Sequence, residues 1–306
     1  MIEQNNPEVV ITDNLAKCAA DRHLILPETG ALGFIVGLNP SKGARSPRLW
    51  NTAFRNCQID GEMFPLDISN EDVEQVAAIL EQNSRVIGVA IAAPYKTRLA
   101  ELFAGQLSPA AQKSGSINLL SRASNGRFTG SNTDGLAAVE SLLESAPELA
   151  ERETLVLGCG ATGRAVVASL LDVVDPGRVS VAYRDPQHKV WLDGVGVGSF
   201  PISSVSSRLK GTSILINCTS LGWGVQSHLS PLMLEDLKLL QTESLVFDVV
   251  YQPDPTRLLI DARSLGLRTL SGGRMNLLQA VLAFCISNPT AERSAVLEAM
   301  RIAISE

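Results

Sequence analysis

Aromatic residues make up only 5% of this chain, and its five cysteines form no CxxC pair. Scattered as Cys18, Cys57, Cys159, Cys218 and Cys285, they give neither a disulfide framework nor a metal-ligand spacing and suit a reducing cytoplasm. The three histidines, His23, His188 and His228, stand too far apart for a paired metal motif. Neither a GxSxG nucleophile elbow nor a GxxxxGK[ST] phosphate loop occurs. No apolar run is long enough to span a bilayer; Ala280 to Ile286 is the nearest approach. The amino terminus is polar and acidic, unlike a signal peptide. Positive charge is not in excess either. A net charge of −6 and a pI near 5.3 argue against nucleic-acid or anionic-membrane partners.

What is present is an ordinary globular composition, 45% hydrophobic over 306 residues, enough for two domains. Residues 1–30 have weak periodicity and read as an irregular or helical lead-in. The stretch 30–37 reads as a buried strand between glycines. Ser46-Pro47 should open a helix with serine as N-cap, and Ser69 to Gln82 a second one, Ser69 and Asp72 resembling a capping box. Val86 to Ile91 is the next strand. The opening is therefore β-α-α-β, or β-α-β-α-β if a strand hides between the helices, and either form predicts a mainly parallel sheet. Lys96 falls just beyond a strand carboxyl end, where open α/β sheets bind ligands.

A short hairpin is expected around Asn125-Gly126, then a helix over 135–145 that crosses between domains. A second β-α-β series begins at Glu153. Its strands are expected at 153–157, 178–183, 213–217 and 244–250, and its helices near 161–172 and 255–264. Two more helices, roughly 274–288 and 290–304, close the chain.

Gly158-Cys159-Gly160-Ala161-Thr162-Gly163 fits GxGxxG between an apolar strand and a good helix. Gly158 would allow the tight turn, Gly160 the approach of a pyrophosphate, and Gly163 close helix packing. Ala161 and Thr162 would start the helix whose amides meet the phosphates. The next strand ends at Arg184-Asp185, where the adenosine ribose is read. Arginine favours the 2′-phosphate of NADP and aspartate the free hydroxyl of NAD, so NADP is preferred here and NAD stays possible. On their own, Lys96 is a surface lysine and Asp134 an N-cap.

Their surroundings carry more. Ser46-Pro47, Pro94-Tyr95-Lys96, Gly115-Ser116-Ile117-Asn118, Asn132-Thr133-Asp134-Gly135, Asn217-Cys218-Thr219-Ser220, Asp248-Val249-Val250-Tyr251 and Met275-x-x-x-Gln279 occur in this order. The sequence thereby resembles the shikimate dehydrogenase family across residues 33–288. The resemblance implies an α/β fold. Residues 1–133 and 274–306 would form an N-terminal α/β substrate-binding domain with a mainly parallel sheet, and 134–273 a Rossmann-like dinucleotide-binding domain. It implies Lys96 and Asp134 as the catalytic pair, and Ser46, Asn118, Tyr251 and Gln279 as substrate ligands. Asn217, Thr219, Gly273 and Met275 would lie along the cofactor. The implied reaction is reversible oxidation of a hydroxylated ring carboxylate in aromatic amino acid biosynthesis, by a cytoplasmic monomer or homodimer.

The residue types suit hydride and proton transfer: the nicotinamide takes the hydride, and either Lys96 or Asp134 could take the proton. Two positions depart from the family pattern. Ala44 replaces the first of two serines before the proline, and Ala90-Ile91-Ala92 replaces an Asn-Val-Thr strand end. Each lost hydroxyl removes a hydrogen bond worth roughly 1.5–3 kcal/mol to a charged carboxylate, together about a hundredfold or more in affinity. Arg45, Ser41 or Lys42 could compensate. Quinate or another cyclic hydroxy acid, a methylenetetrahydrofolate dehydrogenase-like activity and a non-catalytic dinucleotide sensor therefore stand as alternatives. The aromatic pattern of the folate enzymes is missing at Ala92.

Overall fold

The computed structural model of the chain describes Leu15 and residues 25–305, so most of the lead-in lies outside the described residues. The chain divides into two compact units. One runs to Thr133 and resumes at Ala280; the other is Asp134–Gln279.

The first unit holds a five-stranded sheet in the order β2-β1-β3-β4-β5. Its strands are β1 (Ala31–Gly37), β2 (Gly61–Asp67), β3 (Val86–Ile91), β4 (Leu119–Arg122) and β5 (Phe128–Ser131). β1 pairs in parallel with both β2 and β3, whereas β4 and β5 form an antiparallel hairpin at the edge. The opening is thus β-α-β-α-β. β2 escapes simple pattern reading because its run Gly61–Asp67 alternates poorly and carries Pro65, which a strand edge tolerates.

Two helix starts differ from the sequence reading. Ser46 is the first residue of the helix Ser46–Asn56 and Arg45 occupies the cap, with no side-chain cap bond. The second helix is Val73–Gln82 rather than 69–82. Ser69 Oγ donates to Asp72 Oδ2 at 2.7 Å and accepts from the Glu71 amide, forming a local turn in place of a capping box.

One sheet face is sealed by aromatic packing. Trp50 and Phe54, on the helix Ser46–Asn56, meet Phe284 edge-on with ring centroids 5.2 and 4.9 Å away. Gly88 on β3 makes this possible, since a Cβ there would lie 2.5 Å from Ser287 Oγ and 2.9 Å from the Trp50 ring. The opposite face buries Phe34, Leu66, Val76, Leu80, Tyr95 and Phe128. Arg122 fastens the β4 edge: its guanidinium donates to the carbonyls of Leu80, Glu81, Asn83, Val86 and Gly126.

The second unit is a six-stranded, wholly parallel sheet in the order β11-β10-β9-β6-β7-β8. Its strands are β6 (Thr154–Leu157), β7 (Val179–Tyr183), β8 (Gly198–Pro201), β9 (Ile214–Asn217), β10 (Leu245–Asp248) and β11 (Arg268–Ser271). Counted within the unit this is the doubly wound order 3-2-1-4-5-6 of dinucleotide-binding sheets. β8 and β11 were invisible as sequence because they are short, half-exposed edge strands without an apolar run. The central strands β6, β9 and β10 are buried at every residue.

The helix Asp134–Ser145 lies wholly in this unit, which corrects the expectation that it crosses between domains. The element shared by both units is instead the helix Gly273–Ser287, divided between Gln279 and Ala280.

Candidate active site

In unit one, Ser46 opens the helix that follows β1, and Lys96 follows the carboxyl end of β3. Lys96 opens the helix Lys96–Leu102, and its carbonyl accepts the Ile117 amide at 3.0 Å. The Asn118 carbonyl accepts from Ile91 at the end of β3. The buried Asn118 side chain is aimed by Thr133: its Nδ2 donates to Thr133 Oγ1 at 2.9 Å, and its Oδ1 accepts the Thr133 amide at 2.8 Å. Asn132 is fixed in the same way, donating to the Ser116 carbonyl and hydroxyl. The Asn-Thr segment before Asp134 is therefore a rigid bracket, and Asn118 is the residue it orients.

Ala92 packs toward the same corner: a Cβ at Gly37 would stand 3.0 Å from the Ala92 methyl and 3.3 Å from Pro40. Ser41 is already committed, its amide and hydroxyl both donating to the Asp67 carboxylate. Lys42 and Arg45 are the basic residues of the same loop.

In unit two the glycine turn has the geometry of a phosphate cradle. Gly158 is left-handed at φ +94°, and a Cβ on it would press to 3.1–3.2 Å from Thr219 and Cys218 of the loop after β9. A Cβ at Gly163 would lie 2.2 Å from the Gly158 carbonyl, so the helix Ala161–Leu170 rests directly on the turn. Beside Gly160 nothing lies within 4 Å. That open space, at the N-terminus of a ten-residue helix, fits a dinucleotide pyrophosphate. Ala161 and Thr162 start this helix, half-buried.

After β7, Asp185 Oδ1 is turned to the Gln187 amide at 2.9 Å and caps a short turn, while Arg184 extends from the surface. Arg164 reaches from the glycine-turn helix to His188 Nδ1 at 3.1 Å. The histidine resists protonation because it is partly buried and faces this guanidinium. As the acceptor of an Arg164 proton at Nδ1, neutral His188 carries its own hydrogen at Nε2. Sequence reasoning had missed this pair.

The loops after β9 and β10 hold the other candidates. Asn217 is 0% exposed, and its polar atoms are taken within the protein. Its Oδ1 accepts from the Thr219 amide and hydroxyl, and its Nδ2 donates to Asp248 Oδ1 and the Leu221 carbonyl. It shapes the loop, while Thr219 faces the glycine turn. Tyr251 stacks against Trp223, centroids 4.9 Å apart, and Trp223 is 41% exposed at its loop tip. A lone tryptophan carries no motif, so this partner was not legible in sequence. Burial, and then the negative field of Asp248, push the Cys218 thiol above its ordinary range.

Asp134 opens its helix and is only 6% exposed. Gly273 opens the helix Gly273–Ser287, its amide donating to Ser271 Oγ, and Met275 within it is buried. Gln279, half-buried on the same helix, donates to the Asn276 carbonyl at 3.0 Å.

Comparison with known proteins points to one family. A family model described as the shikimate dehydrogenase substrate binding domain matches residues 35–120. The chain is 35% identical over 252 residues to the shikimate dehydrogenase (NADP(+)) of Rhodospirillum rubrum, covering 79% of this chain and 85% of that protein. The enzyme of the same name from Paramagnetospirillum magneticum is 33% identical over 260 residues, 83% and 90% of the two chains. Among solved structures, the shikimate 5-dehydrogenase of Thermus thermophilus in complex with NADP(H) and shikimate matches with a TM-score of 0.74 at 28% identity, over 89% of this chain and 99% of that one. The ligand-free 5-ketofructose reductase of a Gluconobacter strain shares the fold, with a TM-score of 0.73 at 20% identity, over 90% and 99%.

Proposed function

Because this chain belongs to the shikimate dehydrogenase family, we propose that it is an NADP-dependent dehydrogenase interconverting a ring ketone and alcohol of the 3-dehydroshikimate/shikimate type. The observation that carries this reading is the cradle at Gly158, Gly160 and Gly163, in a chain that keeps Lys96, Asn118, Asp134, Tyr251 and Gln279.

The nicotinamide, when bound, supplies or accepts the hydride. The residues do the rest. Lys96 Nζ accepts the alcohol proton in oxidation and returns it to the forming alkoxide in reduction. Asp134 is the second polar group assigned to the reacting hydroxyl. Asn118, held by Thr133, presents its amide to a ring hydroxyl, with Gln279 as the further hydroxyl ligand. Ser46, aided by Arg45 and Lys42, takes the carboxylate side. Backbone amides at Gly160 to Thr162 hold the pyrophosphate, and Arg184 with the Nε2–H of His188 favours a 2′-phosphate.

The methyl groups at 44 and 92 favour a second substrate within the same chemistry. With two hydroxyl donors absent, any ring carboxylate is held less tightly on that side, and quinate or another cyclic hydroxy acid stands beside shikimate as a substrate to test.

The test is a turnover assay with NADP or NAD against shikimate, quinate and related ring acids, followed at the absorbance of the reduced cofactor. Turnover of at least one ring acid, with NADP preferred, is the expected result. Cofactor binding without turnover of any member of the panel would sink the enzyme reading.

A further inference from the structure

Asp248, the last residue of β10, is fully buried. Its Oδ1 accepts from Asn217 Nδ2 at 2.9 Å and from the Val250 amide at 3.1 Å, and its Oδ2 accepts from Thr256 Oγ1 at 2.6 Å. All three partners are neutral. Burial pushes this carboxyl up to about 6, and among the described residues no cation acts on it. A buried charge without a counter-ion costs stability and needs another reason to be there.

The reason lies in what its partners hold. Asn217 fixes the loop from Thr219 to Leu221, and Thr219 closes on Gly158 of the glycine turn. Val250 precedes Tyr251, whose ring rests on Trp223 at the tip of the Asn217 loop. Thr256 caps the helix Arg257–Ser264 through the Leu259 amide. One oxygen, Oδ1, thus ties the loop after β9 to the loop after β10. The loop after β9 lies where the strand order reverses between β6 and β9, which is where doubly wound sheets bind dinucleotides, and the loop after the neighbouring β10 stands beside it.

We propose that Asp248 is the positioning residue of the cofactor crevice, its Oδ1 setting the Thr219 loop and the Tyr251–Trp223 pair in register with the glycine turn. The role is that of an acceptor, not of a charge. Asn at 248 keeps an acceptor toward Asn217 and Val250, and its amide can donate to Thr256 Oγ1. Leu keeps the volume and loses the acceptor. Asp at 217 would face Asp248 with a second carboxylate; exchanging the two residues restores the amide–carboxylate bond between them, with the side-chain amide at 248 as donor, but gives up the bonds to Val250 and Leu221.

This inference rests on the dinucleotide reading above, and titration of NADPH, followed by its own fluorescence, separates the two. Asp248→Asn is expected to bind NADPH within about threefold of the parent. Asp248→Leu should bind at least tenfold more weakly and lose the Trp223–Tyr251 band in near-ultraviolet circular dichroism, identified by its loss in Trp223→Phe. Asn217→Asp should bind at least tenfold more weakly, and the exchange Asn217→Asp with Asp248→Asn should recover part of that loss. If Asp248→Leu binds as the parent does, the proposal is wrong. If Asp248→Leu fails to fold, the exchange decides: no recovery over Asn217→Asp overturns the proposal. A parent protein that binds neither NADPH nor NADH overturns the dinucleotide reading, and this inference with it.

Discussion

Two alanine substitutions, three residues apart in the glycine turn, should have opposite consequences. Gly160 has φ −71°, which any residue adopts, and a Cβ on it would meet nothing within 4 Å. Gly160→Ala should therefore leave the melting temperature unchanged. The same methyl occupies the space proposed for the pyrophosphate. Losing one or two charge-assisted hydrogen bonds at about 1.5 kcal/mol each should raise the NADPH dissociation constant roughly 10- to 100-fold.

Gly163 is the reverse case. Its Cβ would sit 2.2 Å from the Gly158 carbonyl oxygen, roughly an ångström inside contact distance, and both atoms are backbone. Overpacking of this kind costs about 1–3 kcal/mol. Alanine returns at most about 1 kcal/mol through helix propensity and a stiffer unfolded chain. The clash wins, for a net loss of about 1–2 kcal/mol and a melting temperature several degrees lower. Differential scanning fluorimetry and NADPH titration on both variants are the assays. An unchanged affinity in Gly160→Ala would show that the pyrophosphate does not use this turn. Parental stability in Gly163→Ala would show that the helix rides off the turn without cost.

Lys96→Ala should reduce kcat about 10²- to 10⁴-fold while NADPH affinity stays within twofold, and full turnover would remove the lysine from the mechanism. Ala44→Ser combined with Ala92→Thr should lower the KM for shikimate by about a hundredfold, and an unchanged KM would mean that the substrate places no carboxylate there. Arg122→Met removes the guanidinium bonds to the Leu80, Asn83, Val86 and Gly126 carbonyls, of which Asn83 keeps the Val86 amide, and should destabilise by about 2–4 kcal/mol in urea melts. For Asp248, the folded carboxyl at about 6 stands above its ordinary 3.8. Its ionised form thus costs stability above about pH 6, and the cost vanishes below about pH 4. Asp248→Asn should be more stable than the parent at pH 7.5 by up to about 3 kcal/mol, with the gap closing at pH 4 in denaturant melts.

The parts of this fold legible in sequence were those carried by local pattern. The glycine turn stood between an apolar strand and a helix, the β4–β5 hairpin had its Asn-Gly turn, and Lys96 followed a β-branched strand. What escaped depends on tertiary surroundings. β8 and β11 are edge strands whose stability comes from a neighbour, not from their own residues. Asn217 reads as a cofactor-site residue because it lies in a signature segment; its bonds to Thr219 and Asp248 are legible only in the fold. The aiming of Asn118 by Thr133 joins residues 15 apart, and Trp223 gains meaning only from Tyr251. The alanines at 44 and 92 were legible, but not that Ser41 is engaged by Asp67.

The interleaving of the two units also governs how the chain can be made. Phe284 completes the aromatic seal over Trp50 and Phe54, yet it is translated after the entire Asp134–Gln279 unit. At ordinary elongation rates, roughly 10–30 s separate synthesis of the first sheet from arrival of the helix that covers it. During that interval Trp50 and Phe54 stand open on the ribosome while the contiguous dinucleotide unit is completed. The first-made sheet is thus the last to mature, and any truncation before Phe284 leaves an exposed aromatic face for chaperones to hold.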